Sequence, residues 1–114
     1  MTDDTTEPGA PHPLTIDTSD TDVTRCVITV HGDVDLDTAP QLTEAIGNAL
    51  SRGCLHIEVN MNAVTFIDSH GVTALLQGQA DATEGSLRIT EPSTTVLRIL
   101  DIAGLTEQLL HPNG

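Results

Sequence analysis

The spacing of apolar residues divides the chain into strand segments that alternate with helical segments. Alternation of apolar and polar residues predicts four strands, at residues 14–17, 26–32, 55–60 and 87–89. Apolar residues at helical spacing predict three helices, in stripes that begin at Leu42, Val72 and Val96. Residues 105–110 are expected to add a last helical turn. Residues 61–67 are expected to form a loop. The strand-helix-strand steps favour parallel pairs with right-handed crossovers, and therefore an α/β domain.

Glycine, proline and serine mark the expected ends of the helices. Pro40 suits the first turn of the first helix and Gly53 its C-terminal cap. Gly85 is expected to end the second helix. Ser93 stands where an N-cap would precede the third helix, and Gly104 where that helix would end.

The first residues lack this periodicity. Residues 1–13 combine acidic residues, Thr, Pro and Gly, a composition that predicts a disordered tail, and residues 14–114 form the domain. With 114 residues the chain has room for one compact domain. No basic, apolar leader and no apolar run of bilayer length is seen, so a cytoplasmic protein is expected.

Composition narrows the function further. The formal charge is −13 with no lysine, and such a surface repels phosphate backbones and anionic lipid, which excludes nucleic-acid or membrane binding as the main activity. Aromatic residues make up 1% of the chain, so the core is expected to be aliphatic. Cys26 and Cys54 lie far apart in sequence without a disulfide-rich framework, and two reduced cysteines are expected.

The most informative segment for chemistry is VTFIDSHGVTALL, residues 64–76. An apolar run ends in Asp68 and Ser69, and a helix begins at once, which places Ser69 where free N–H groups and the helix dipole favour a negative charge. Ser69 is therefore a candidate phosphoacceptor, and Gly71 would keep the surface around it low for another protein's active site. The alternative is that Asp68 or Ser69 is simply the N-cap, and the two interpretations are compatible.

Other candidate sites are weaker. Asp68, Ser69 and His70 are neighbours that point in different directions along a helix, which excludes a hydrolase relay, and the histidines lack metal-ligand spacing. Asp33, Asp35 and Asp37 form either a solvated loop, whose last Asp with Thr38 favours the helix N-terminus, or a recognition edge for a partner protein. No catalytic residue, metal or cofactor is expected.

Three stretches together resemble a family. HGDVDLDTAPQL, VTFIDSHGVTALL and LRITEPSTTVLRILDIAGL are similar to the STAS domain, and to the stand-alone bacterial anti-sigma factor antagonists in particular. The likeness runs from about Leu14 to Leu110. It implies a single mixed sheet of about four to five strands with helices packed on one side.

The resemblance also implies a function. An anti-sigma factor that is itself a serine kinase would phosphorylate Ser69. The unmodified antagonist binds this kinase and so releases a sigma factor, whereas the phosphorylated form cannot bind until a serine phosphatase removes the phosphate. The expected partner-binding residues are Asp33, Asp35, Asp68, Ser69, His70, Gly71 and Val72, on a monomer. His70 stands where Ser or Thr is frequent, and the strongly negative charge suggests a partner with a basic docking face.

Two alternatives belong to other classes. STAS-like domains also serve as subunits of signalling scaffolds or of lipid-transport ATPases, in stable complexes that a charge on Ser69 would not disturb. A weak nucleotide hydrolase is the third hypothesis, but the chain has no phosphate-binding loop and no lysine to hold phosphates.

Overall fold

A computed structural model of the protein describes residues 13–112. Within this range four strands and four helices follow each other in the order β1 Thr15–Asp20, β2 Arg25–Val34, α1 Ala39–Ser51, β3 His56–Ile67, α2 Ser69–Asp81, β4 Ser86–Thr90, α3 Thr94–Ala103 and α4 Thr106–Leu110. The predicted order of elements is confirmed. The expected tail at residues 1–13 lies, except for Pro13, outside the described residues.

The strands form one mixed sheet in the order β1-β2-β3-β4. β1 pairs antiparallel with β2, whereas β2, β3 and β4 are parallel neighbours. The helices pack on one face, as the resemblance implied. Their contact with the sheet buries an aliphatic core that includes Ile28, Leu42, Ile46, Ile57, Leu75, Leu87 and Leu100, while Phe66 is 46% exposed.

The loop expected at residues 61–67 is wrong, because these residues extend β3 to Ile67. The register of β2 against β3 shifts between Thr29 and His31 and again between Gly32 and Asp33. These irregularities break the alternation of side chains. The buried residues at the end of β3 are consequently Met61, Val64 and Ile67, three apart instead of two, and the sequence pattern no longer looks like a strand.

Four of the five residues predicted to mark helix ends do so in the structure. Pro40 lies in the first turn of α1, Gly53 follows α1 with a φ of 96°, and Gly104 ends α3 with a φ of 74°. Ser93 caps α3 by accepting a hydrogen bond from the amide of Val96. Gly85 is the exception, because α2 already ends at Asp81.

The two cysteines are not reduced, contrary to expectation, and form a disulfide between Cys26 and Cys54 across a Cα distance of 6.2 Å. Cys26 lies at the start of β2 and Cys54 in the connection from α1 to β3. The amides of Leu55 and His56 both donate to the carbonyl of Thr24, at 2.8 and 2.9 Å, which brings this connection against the start of β2. Cys26 and Cys54 are far apart in sequence but close together in the fold, and the sequence alone did not reveal this contact.

None of the helices within residues 13–112 has the length and apolar character needed to cross a membrane.

Candidate functional site

The candidate site lies at the carboxyl ends of β2 and β3, where α1 and α2 begin. The amide of Asp68 donates to the carbonyl of Val34 over 3.1 Å, so the start of α2 is joined to the loop that carries Asp33 and Asp35. Two segments that are more than thirty residues apart in sequence thus form one surface. This is the edge of a parallel sheet at which α/β proteins commonly place their sites.

Asp68 is the residue that caps α2. Its Oδ1 accepts hydrogen bonds from the amides of His70, at 2.9 Å, and Gly71, at 3.3 Å. Ser69 is the first residue of the helix and is exposed. Within residues 13–112 no hydrogen bond engages the Ser69 hydroxyl. Because the carboxylate already satisfies the helix start, that hydroxyl is available for chemistry.

His70 turns back toward the capping carboxylate. Its Nδ1 lies 3.4 Å from Oδ2 of Asp68, and its side chain is 51% exposed. His70 contacts Asp68 instead of Ser69, so the three side chains do not form a nucleophile-base-acid relay. His70 and Ser69 are both exposed at the start of α2.

Gly71 and Val72 face the interior, in contrast to Ser69 and His70. A Cβ on Gly71 would lie 2.7 Å from both Cγ1 of Ile67 and Cγ1 of Val34, and Val72 is 8% exposed. Gly71 is thus required for close packing beneath the helix start, and the reason expected from the sequence, a low outer surface, is wrong. Both residues support the exposed site and are not placed to touch a partner themselves.

The acidic loop before α1 has a structural role as well as an exposed surface. The Asp35 carboxylate accepts from the amides of Asp37 and Thr38, at 3.0 and 3.1 Å, and so closes the turn before α1. Asp33 accepts from the hydroxyl of Thr65 on β3. The sequence had suggested that Asp37 favours the start of α1, but the carboxylate that stabilises this turn belongs to Asp35. Asp33 and Asp35 remain on the rim of the site, on either side of Val34.

An open groove of about 680 Å³ runs between α1 and α2 beside Ser69. Its walls are mainly apolar, and the residues that line it are Leu36, Ala39, Pro40, Thr43, Glu44, Ser69, His70, Thr73, Ala74 and Gln77. Leu36 stands at one end and is 62% exposed. Sequence reasoning missed this groove, although one signal was present, the leucine between the aspartates of DVDLD.

The family model described as "Mlab, STAS domain" matches residues 17–111. The chain belongs to the STAS domain family. No curated protein matches it.

Solved structures of anti-sigma factor antagonists share this architecture. The structure of an anti-sigma factor antagonist from Mycobacterium paratuberculosis is 26% identical, with a TM-score of 0.79 over 91% of this chain and 90% of that one. The anti-sigma factor antagonist SpoIIAA in its unphosphorylated form is 24% identical, with a TM-score of 0.70 over 80% of this chain and 82% of that one. The Bacillus cell fate determinant SpoIIAA in the phosphorylated form is 23% identical, with a TM-score of 0.65 over 80% and 85%. The last two share the fold of this STAS domain.

In this STAS domain, five of the predicted partner-binding residues converge on one surface. Asp68, Ser69 and His70 form the start of α2, and Asp33 and Asp35 flank Val34, whose carbonyl accepts from the amide of Asp68. Gly71 and Val72 are buried in the first turn of the helix. The groove toward α1 extends this surface with apolar side chains. The exposed hydroxyl consequently lies beside the capping Asp68 and at the wall of an apolar groove.

Proposed function

We propose that the protein is an anti-sigma factor antagonist whose binding to an anti-sigma factor serine kinase is controlled by phosphorylation of Ser69. The kinase would transfer the γ-phosphoryl group of ATP to Ser69 Oγ, with loss of the hydroxyl proton and release of ADP. Without the phosphate, the antagonist binds the kinase and so releases a sigma factor; a serine phosphatase reverses the modification. The protein itself acts by binding and performs no catalysis.

The observation that carries the proposal is the state of the Ser69 hydroxyl. Asp68 supplies the cap of α2, and the exposed hydroxyl has no hydrogen bond among the described residues. Phosphorylation therefore breaks no internal contact. A protein kinase must bring the acceptor hydroxyl into its own active site, and an exposed hydroxyl at the first residue of a helix can be reached in this way.

The same location explains why the fold would survive the modification. A phosphate adds about −1.5 to −2 charge at neutral pH. In the free protein this charge lies at the positive end of the α2 dipole and in contact with solvent, where helix N-termini tolerate anions. The free domain should stay folded.

In a complex the same phosphate is unfavourable. It would be removed from water next to the carboxylate of Asp68, which caps the same helix start, and at the end of the sheet that also carries Asp33 and Asp35. A penalty of about 3 to 4 kcal/mol for this burial of like charge would lower the affinity by roughly two to three powers of ten. Such a change is sufficient for an on/off control.

Charge and shape also describe the partner. The chain carries a net charge of −13, and the groove beside Ser69 is mainly apolar with Glu44 on its wall. The docking face of the kinase is therefore basic, with apolar side chains that enter the groove. Electrostatic attraction of this kind accelerates association and weakens with salt.

The proposal is tested by the affinity of Ser69 variants for candidate anti-sigma kinases. Ser69→Ala should bind like the wild type, and Ser69→Glu should bind about 100-fold more weakly or worse, because it places a charge at the buried contact. Ser51→Glu is the matched control, since Ser51 is an exposed residue at the far end of α1. Equal affinities of Ser69→Glu and the control would disprove the charge mechanism.

The same variants separate the alternatives. A subunit of a signalling scaffold or a lipid-transport ATPase would stay in its complex with either residue at position 69, and an ATPase would be purified with it. Turnover of nucleotide by the purified protein alone would instead favour an enzyme.

A further inference from the structure

A second cavity lies at the opposite end of the sheet from Ser69. The parallel strands β2, β3 and β4 begin there in register, and Arg25 is paired with His56, which in turn is paired with Ser86. The next residues along these strands, Cys26 and Ile57 among them, are buried beneath the helices. Since side chains alternate along a strand, the three aligned residues lie on the sheet face that the helices leave open.

The cavity has the size of a small-molecule site. Its volume is about 520 Å³, within the range typical of ligand pockets. Glu58 and Arg88, which form the next aligned pair on the same face, line it together with His111 beyond α4. The residues after α4 give the cavity a side wall that an open sheet face would otherwise lack.

The balance of charge in this cavity is opposite to that of the whole molecule. The chain has four basic side chains of Lys or Arg against seventeen of Asp or Glu. Two of these four, Arg25 and Arg88, line the cavity, and among residues 13–112 Glu58 is the one acidic residue on its walls, with Asp22 paired to Arg25 outside it. By contrast, the groove beside Ser69 has Glu44 and no arginine on its walls. Cations that are scarce in the sequence are thus brought together from two strands that are not neighbours.

Both guanidinium groups retain free hydrogen-bond donors. Arg88 donates from Nη2 to Oε2 of Glu58 over 3.2 Å, and Nε of Arg25 forms an ion pair with Oδ2 of Asp22 at 3.7 Å, beyond hydrogen-bond distance. Their side chains are 46% and 56% exposed. Each guanidinium has five N–H donors in a planar fork. Within residues 13–112, therefore, most of these donors are open to a ligand.

The central strand adds a further donor. Nδ1 of His56 lies 3.1 Å from Oγ of Ser86. When the hydroxyl donates to Nδ1, the imidazole carries its proton on Nε2, which is then directed away from this contact. The three strands therefore present a guanidinium, an imidazole and a second guanidinium around one depression.

We propose that this cavity binds a small phosphate-bearing molecule, either inorganic phosphate or a phosphate monoester. Guanidinium forks match the oxygens of a phosphate group, and charge-assisted bonds of this kind are among the strongest that side chains make. Glu58 opposes binding, because it occupies Arg88 and carries like charge. The site is separate from Ser69 and does not depend on the function proposed above.

The test is a titration of the full-length protein, followed by amide chemical shifts and calorimetry. One arm uses inorganic phosphate and the other glycerol 3-phosphate, which identifies the source of the phosphate group; saturable binding in either arm supports the proposal. Arg25→Gln and Arg88→Gln should each weaken binding about tenfold or more, because each removes charge-assisted donors. Arg98→Gln, an exposed residue of α3 away from the cavity, is the control and should change affinity less than about twofold.

Glu58→Gln provides a test in the opposite direction. Removal of this carboxylate frees Arg88, so affinity should rise, whereas Glu44→Gln, which makes the same change of net charge on α1, should have little effect. The proposal is overturned if neither arm saturates, if Arg98→Gln weakens binding as much as Arg25→Gln and Arg88→Gln do, or if the shifts are confined to the amides of His70 and Gly71 at the start of α2.

Discussion

The starts of α1 and α2 are both stabilised by an aspartate, but within residues 13–112 only the start of α1 also uses a hydroxyl group. Each helix follows a parallel strand at the same edge of the sheet, and an aspartate stabilises each start. At α1 the Thr38 hydroxyl donates to the carbonyl of Asp33 and accepts from the amide of Asp35, both at 2.9 Å. At α2 the exposed Ser69 hydroxyl has no such bond among the described residues.

The position of the carboxylate accounts for this difference. Asp68 directly precedes α2 and reaches the amides of His70 and Gly71, so the helix start is satisfied without Ser69. Asp35 lies three residues before Thr38, and the turn between them is closed by the threonine hydroxyl as well as by the carboxylate. A hydroxyl that the fold needs cannot be modified without a structural cost, and the one at position 69 is not needed.

The largest expected effect on stability comes from the disulfide, which anchors the connection after the C-terminal end of α1. Within residues 13–112, α2 has no such crosslink. Cys26 and Cys54 are separated by 28 residues, and loss of a crosslink of this span should lower the free energy of unfolding by about 3 to 4 kcal/mol. Urea unfolding of the wild type with and without dithiothreitol measures it. The Cys26→Ala, Cys54→Ala double variant should be insensitive to dithiothreitol, and an unchanged midpoint for the reduced wild type would show that the crosslink contributes nothing.

The second prediction compares the two hydroxyls directly. Thr38→Val keeps the shape of the side chain but leaves the Asp35 amide and the Asp33 carbonyl without this partner, at a cost of about 2 kcal/mol in unfolding free energy. Ser69→Ala removes no bond and should change stability by less than about 0.5 kcal/mol. Denaturant midpoints of the two variants decide the matter. Equal losses would mean that the Ser69 hydroxyl is also part of the fold.

The smallest expected effect has opposite signs in the two helices. Gly47→Ala in α1 introduces a Cβ with nothing within 4 Å and should stabilise the protein by up to about 1 kcal/mol through helix propensity. Gly71→Ala in α2 forces a Cβ against Val34 and Ile67 and should destabilise it by about 1 kcal/mol, since overpacking outweighs propensity. Thermal unfolding of both variants provides the measurement. A stabilised Gly71→Ala would show that the start of α2 is more loosely packed than described.

Local patterns were sufficient to predict much of this fold. Helical spacing from Leu42 and from Val96 identified α1 and α3. The residues at the two ends of α3, Ser93 and Gly104, act as expected because capping depends on nearest neighbours. Exposure of Ser69 at a helix start also agrees with the expectation from the apolar run followed by Asp68 and Ser69.

Features that depend on contacts between distant segments could not be predicted in this way. The extension of β3 relies on register shifts in its partner β2, and the disulfide relies on the contact of Thr24 with the amides of Leu55 and His56. The inward packing of Gly71 depends on Val34, which belongs to another strand. The groove between α1 and α2 requires both helices in place, and no single segment contains a signal for its shape.

The most direct test of the central claim is the location of the phosphate after the protein is incubated with candidate anti-sigma kinases and ATP. We expect one added phosphoryl group, which peptide mass spectrometry assigns to Ser69, and no phosphate on Thr38, whose hydroxyl is bonded within the fold. The Ser69→Ala variant should remain unmodified. Phosphate on another residue of the wild type, or undiminished labelling of the variant, would contradict the account.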